Sequence, residues 1–139
     1  YICVHRYPGV PSVDLHRISP ADVIKGGNNE IVPIRVFHGK LPILGYRIGP
    51  LAYITDCTGI ADEDWKKLEG IDTLILDALR WHPHPTHWTV EQAMEAVRRI
   101  KPRHTYFTHM SHEIGLHQEV NQRLDDDVEL AYDGLIINV

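Results

Sequence analysis

The sequence predicts an α/β fold, a mixed sheet with helices packed on one face. Three observations carry that reading. Apolar, β-branched runs of strand length recur along the chain, segments of helical period separate the later ones, and Gly, Pro and Asn punctuate the joins. Strands that alternate with helices argue for a layered α/β arrangement.

Residues 1–30 read as a short strand followed by loop, because Pro8, Pro11, Pro20 and the run Gly26-Gly27-Asn28-Asn29 break any longer element. Ile31-Val32-Pro33-Ile34-Arg35-Val36-Phe37 alternates well enough for a strand that ends in His38-Gly39. Two further strands, 44–48 and 51–55, flank Gly49-Pro50 and form a hairpin signal. A short helix is expected over 61–69. Asp62, Glu63 and Asp64 in its first turn and Lys66 and Lys67 in its last complement the helix dipole, and Gly70 suits the position after its end. The continuous apolar run 73–78 fits a buried strand. Thr89-Val90-Glu91-Gln92 fits a capping box, and Val90, Ala93, Met94, Val97 and Ile100 then give one apolar helix face that Pro102 closes. A strand over 104–109, a helix near 116–123 and short closing strands over 128–131 and 135–139, around Tyr132-Asp133-Gly134, complete the order.

The chain of 139 residues is one domain at most, or part of a larger one. Its apolar fraction of 43% and charged fraction of 24% are ordinary for a globular protein with a real core. The net charge of −5 argues against general binding to a nucleic-acid backbone, although metal ions could supply local positive charge for a phosphate ester. Cys3 and Cys57 make neither a CxxC pair nor a disulfide framework, which fits a reducing cytoplasm. No signal-peptide pattern and no long apolar run argue for export or a membrane span.

Of the ten histidines, six fall between His82 and His112, so the second half of the chain draws attention as a ligand source. His38 at a strand end could ligate a metal while Gly39 lets the backbone turn away; the plainer reading is an ordinary polar strand end. Asp56, in Thr55-Asp56-Cys57-Thr58-Gly59, could bridge two cations through its two oxygens, or serve as a turn or cap aspartate. Cys57 reads as a small buried hydrophobe. His109 ends its strand and reads as a ligand; His112, three residues on, could orient a neighbour or a substrate. Together His38, Asp56 and His109 are an N/O donor set of the kind that binds Zn²⁺ or Mn²⁺. His82-Pro83-His84-Pro85-Thr86-His87 reads as a loop in which His82 and His84 are solvated and His87, beside the capped helix, could donate a proton or bind phosphate. His117 reads as a surface or helix residue.

The segments Tyr53-Ile54-Thr55-Asp56-Cys57-Thr58-Gly59, Leu76-Asp77-Ala78-Leu79-Arg80, His84-Pro85-Thr86-His87, Tyr106-Phe107-Thr108-His109-Met110-Ser111-His112 and Ala131-Tyr132-Asp133-Gly134 resemble, in order, those of the metallo-β-lactamase superfamily. The resemblance is closer to the branch containing the phosphoribosyl 1,2-cyclic phosphate phosphodiesterases. It implies an αββα sandwich built from two similar halves and a site with two divalent ions, Zn or Mn. His38 would hold the first metal, Asp56 would bridge, His109 would hold the second, and His87 would contact the substrate phosphate or protonate the leaving group. The family's His-x-His-x-Asp-His motif is absent. Residues 1–139 are therefore expected to be a single incomplete domain, the C-terminal half of such a sandwich, inactive by itself and inclined to self-associate or to pair with an N-terminal half. The implied activity is metal-dependent hydrolysis of a small phosphodiester such as a ribose cyclic phosphate. The alternative is a non-catalytic interaction or regulatory module with remnant ligands.

Overall fold

A computed structural model of the chain describes residues 15–138; the short strand expected at the start of the chain, and Cys3, lie outside them. The described residues form one eight-stranded mixed sheet in the order β1-β2-β3-β4-β6-β7-β8, with β5 paired to β2. β1 (Ile24–Gly26), β2 (Asn29–His38), β3 (Leu41–Ile48) and β4 (Leu51–Ile54) pair antiparallel through tight turns, and β5 (Gly59–Ile60) pairs antiparallel with β2. β6 (Thr73–Asp77), β7 (His104–Thr108) and β8 (Val128–Leu130) extend the sheet in parallel from β4. The Gly49-Pro50 hairpin forms with Ile48 opposite Leu51.

Parallel neighbours need a crossover, and helices supply two of the three. α1 (Val90–Ile100) joins β6 to β7 and α2 (His117–Asn121) joins β7 to β8. The capping box is formed as expected: the Thr89 hydroxyl accepts from Gln92 N and the Gln92 side chain accepts from Thr89 N. Such a cap contributes about 1 kcal/mol. The sheet rows Ala52-Leu74-Thr105-Val128 and Ile54-Leu76-Phe107-Leu130 run in register across four strands, and all eight residues are buried. Val90, Ala93 and Val97 of α1 belong to the same core. Each fully buried Leu or Phe contributes roughly 1.5–3 kcal/mol, so this face carries the stability of the fold.

The alternate row, Tyr46-Tyr53-Ile75-Tyr106-Glu129, points to the other face and is exposed or half-buried, with Tyr53 44% exposed. The sheet is thus covered on one side only by the described residues.

Three expectations change. The loop through Gly26-Gly27-Asn28-Asn29 is a hairpin turn between β1 and β2, with Gly27 at a φ of +60°. The helix over 61–69 is a 3-10 helix, Asp62–Leu68. Buried Asp64 explains it: its carboxylate accepts from Arg35 N at 2.5 Å and pairs with Lys67 at 2.8 Å, drawing a tight turn onto β2. No strand forms over 135–138: Leu135 N bonds back to Tyr132 O in a turn, and Ile136 is left 82% exposed beyond the sheet edge. Among the described residues no helix is long and apolar enough to cross a membrane.

Candidate metal centre

β2, β4 and β7 run out at one rim of the sheet. His38 is the last residue of β2, while Asp56 and His109 follow β4 and β7. Asp56 and His109 have φ values of +58° and +59°, and the only other described non-glycine residue with positive φ is Lys101, which caps α1. Left-handed backbone costs a residue with a Cβ about 1–3 kcal/mol and is held only where the surroundings over-determine it. Here they do. Cys57 N donates to Asp77 Oδ1 at 3.0 Å, Thr58 N to Phe37 O at 2.6 Å, Ala78 N to Thr108 O at 3.1 Å and Ser111 N to Leu79 O at 2.9 Å. These bonds turn the chain sharply after each strand and aim the next side chain along the rim.

The four predicted chemical groups His38, Asp56, His87 and His109 converge. His38 Nε2 and His87 Nε2 lie 3.4 Å apart, the His87 and His109 rings stack with centroids 4.8 Å apart, and His109 Nε2 is 3.5 Å from Asp56 Oδ1. Donor atoms of His38, Asp56 and His87 all fall within 4.8 Å of one another. Two imidazole nitrogens and a carboxylate at such separations suit a divalent metal cation. The donor chemistry therefore fits a metal. Asp56 approaches both the His38–His87 pair and His109, so its carboxylate would be a donor common to this group.

Behind His87 lies a residue that the sequence reading did not single out. Asp77, the buried last residue of β6, faces His87 Nδ1 through Oδ2 at 3.5 Å. Neither atom has a hydrogen-bond partner within the described protein, so each faces only the other. Burial, and then the charge of Asp56, push the Asp77 carboxyl up to about 7; burial, and then the charges of His109 and His38, lower His87. The two shifts run in opposite directions, and both favour the uncharged form of each group. A proton on Nδ1 turns the Nε2 lone pair toward His38, and a carboxylate behind a histidine fixes tautomer and ring orientation. His87 can then act as an acid at Nε2 when doubly protonated, or as a ligand there when neutral. The signal for Asp77 was a carboxylate ending a continuous apolar run.

The loop histidines divide. His82 is exposed, as expected. His84 is less exposed than expected: it is half-buried with its ring 5.0 Å from that of His87, because Arg80 and Gly39 fold the loop back onto the rim. His112 opens the 3-10 turn His112–Ile114, is exposed, and makes no hydrogen bond to the cluster. His117 begins α2 and lies 3.0 Å from Leu130 O, a structural contact. Cys57 is fully buried, and burial, with Asp77 nearby, pushes its thiol up to about 12, so it stays an inert apolar group.

Residues 3–110 match the family model described as a beta-lactamase superfamily domain. The chain belongs to the beta-lactamase superfamily. Among solved structures, this superfamily domain is similar to a diphosphatase of the PhnP family, with 42% identity and a TM-score of 0.84 over 88% of this chain and 47% of that one. It shares its fold with the short form of human tRNase Z, at 20% identity and a TM-score of 0.64, over 83% of this chain and 45% of that one. A protein of Porphyromonas gingivalis (strain ATCC BAA-308 / W83) named octanoyltransferase is 37% identical over 130 residues, which cover 93% of this chain and 26% of that protein. The domain thus spans about half the length of the diphosphatase and about a quarter of the Porphyromonas protein.

Proposed function

We propose that this chain is the C-terminal half of a metal-dependent phosphodiesterase that acts on a small cyclic or linear phosphodiester, such as a ribose cyclic phosphate. The observation that carries the proposal is the convergence of His38, Asp56, His87 and His109 on one rim, with Asp77 behind His87. The likeness to a PhnP-family diphosphatase favours phosphorus chemistry. His38, Asp56 and His109 would hold Zn or Mn, with Asp56 shared. When bound, the ions supply Lewis acidity toward the phosphodiester and its attacking water. The chain's own residues do the rest. Once ionised, Asp77 would hold the Nδ1 proton of His87 and stabilise its imidazolium, so that Nε2–H can pass its proton to the leaving oxygen. The exposed position of His112 suits contact with substrate rather than with a ligand residue.

An N-terminal half would cover the open face around Tyr46, Tyr53, Ile75 and Tyr106 and add the ligands that this chain lacks. Without it, the same face favours self-association. Acyl transfer, the activity named for the Porphyromonas relative, finds no nucleophile in Cys57, whose buried thiol has almost no thiolate at neutral pH.

The test is His109→Ala in the full-length protein. Mn²⁺-dependent hydrolysis of a phosphodiester should disappear; near-normal turnover overturns the assignment. Absence of such hydrolysis in the unaltered full-length protein would favour the alternative, an interaction module with remnant ligands.

A further inference from the structure

We propose that His84 is a phosphate-contacting residue of this site, donating a hydrogen bond from Nε2 to a phosphoryl oxygen of the substrate; the proposal rests on the phosphodiesterase reading. His84 is half-buried, with its ring 5.0 Å from that of His87 and tilted 38° to it. Its Nδ1 lies 3.3 Å from Thr86 N and 3.3 Å from Thr86 Oγ1. A backbone N–H can only donate, so Nδ1 accepts, and the neutral ring must carry its proton on Nε2. His87 has the reverse arrangement, with Nδ1 turned to Asp77. The two adjacent imidazoles therefore divide the work at Nε2: a fixed donor on His84, and on His87 the atom that faces His38 across 3.4 Å and serves the leaving oxygen.

The loop that carries His84 is built rather than loose. Arg80 donates through Nε to His82 O at 3.2 Å and through Nη2 to Pro83 O at 3.1 Å, while its Nη1 pairs with Glu113. On the other side, Thr86 packs onto Gly39, directly after His38. A Cβ at Gly39 would sit 3.2 Å from Thr86 Cγ2, and the φ there is +62°. Pro83 and Pro85 fix φ on either side of His84. These restraints hold the imidazole against His87, and among the described residues Nε2 forms no hydrogen bond with the protein. With His87 assigned to the leaving oxygen, a non-bridging phosphoryl oxygen has need of a separate donor. Asp56 and Asp77 are both acidic, and Arg80, the guanidinium of this loop, is engaged with two carbonyls and Glu113. With Nδ1 engaged by Thr86, Nε2 is the ring atom left to meet an anionic phosphoryl oxygen brought against His87.

The test compares the Mn²⁺-loaded full-length protein with its His84→Ala and His84→Gln variants. It uses bis(p-nitrophenyl) phosphate as substrate and inorganic phosphate as competing ligand, with the His84 Nε2 resonance followed by NMR in the diamagnetic Zn²⁺-loaded form. Losing one hydrogen bond to a charged oxygen should raise KM and the phosphate inhibition constant about tenfold or more in His84→Ala, with a smaller change in kcat. His84→Gln, which keeps an N–H donor, should recover much of that loss, and phosphate should shift the Nε2 signal in the unaltered protein. Hydrolysis with an unchanged KM in His84→Ala would overturn the role of His84 and leave the phosphodiesterase reading standing. Equal weakening in both variants would make loop packing the cause and also overturn it. If the unaltered protein does not hydrolyse the ester yet phosphate moves the Nε2 signal, the phosphate contact holds and the phosphodiesterase reading falls. Neither hydrolysis nor a phosphate-induced shift would overturn both.

Discussion

The buried face of the sheet and the rim above it follow opposite rules. On the buried face, rows such as Ile54-Leu76-Phe107-Leu130 match strand by strand, and every member gains by being there. At the rim, Asp56 and His109 hold strained backbone, and His38, His87 and His109 crowd their imidazoles together. A sequence consistent at every level would not choose the second arrangement for stability. Proteins concentrate such local conflict where function requires it, supported by a well-packed scaffold. The contrast therefore separates residues that hold the fold from residues that the fold holds.

Substitutions on the two sides should fail in different ways. The largest loss of stability is expected from Phe107→Ala, about 3–5 kcal/mol for a fully buried aromatic, seen as a lower midpoint in denaturant unfolding. Asp77→Asn sits where face and rim meet. It should lower kcat by about 10- to 100-fold by releasing the His87 ring, and it should also change the pH dependence of stability. In the metal-free protein Asp77 holds its proton up to about 7 against an ordinary 3.8, so between these values the folded state binds more protons than the unfolded one. Stability should fall as pH rises across that window and level off above it. Asp77→Asn should flatten the slope in pH-dependent unfolding; an unchanged slope would show that other groups cause it.

Moving up to the rim reverses the sign. His109→Asn replaces a strained histidine with a residue that tolerates left-handed backbone. Thermal unfolding of the metal-free protein should show stability unchanged or raised by up to about 1 kcal/mol, while metal-dependent activity is lost. Destabilisation by several kcal/mol would mean that His109 belongs to the scaffold. The smallest effect is expected on the open face: Tyr53→Ser should alter folding by about 0.5 kcal/mol or less yet reduce self-association of the isolated chain in sedimentation. Unchanged association would remove this face as the contact surface.

How much of this was legible in the sequence follows the same division. The buried face was largely readable, because apolar runs, the Gly49-Pro50 turn and the Thr89 capping box are local signals of local structure. The 3-10 helix Asp62–Leu68 was misread because its geometry is set by buried Asp64 reaching Arg35, a partner 29 residues away. The strand over 135–139 was misread because alternation alone cannot supply a neighbouring edge to pair with. At the rim, strand ends exposed His38, Asp56 and His109 as candidates. Asp77 and His84 were hidden because their roles depend on tertiary approach: one needs a partner buried ten residues away, and the other a loop folded onto Gly39. The family resemblance supplied roles that spacing could not.

The most direct test of the central claim, that this rim binds a divalent ion, is elemental analysis for Zn and Mn. The full-length protein and its Asp56→Ala variant would both be loaded and then dialysed. Bound metal in the unaltered protein that is sharply reduced in Asp56→Ala is the expected result. No bound metal in the unaltered protein, or equal metal in both, would contradict it.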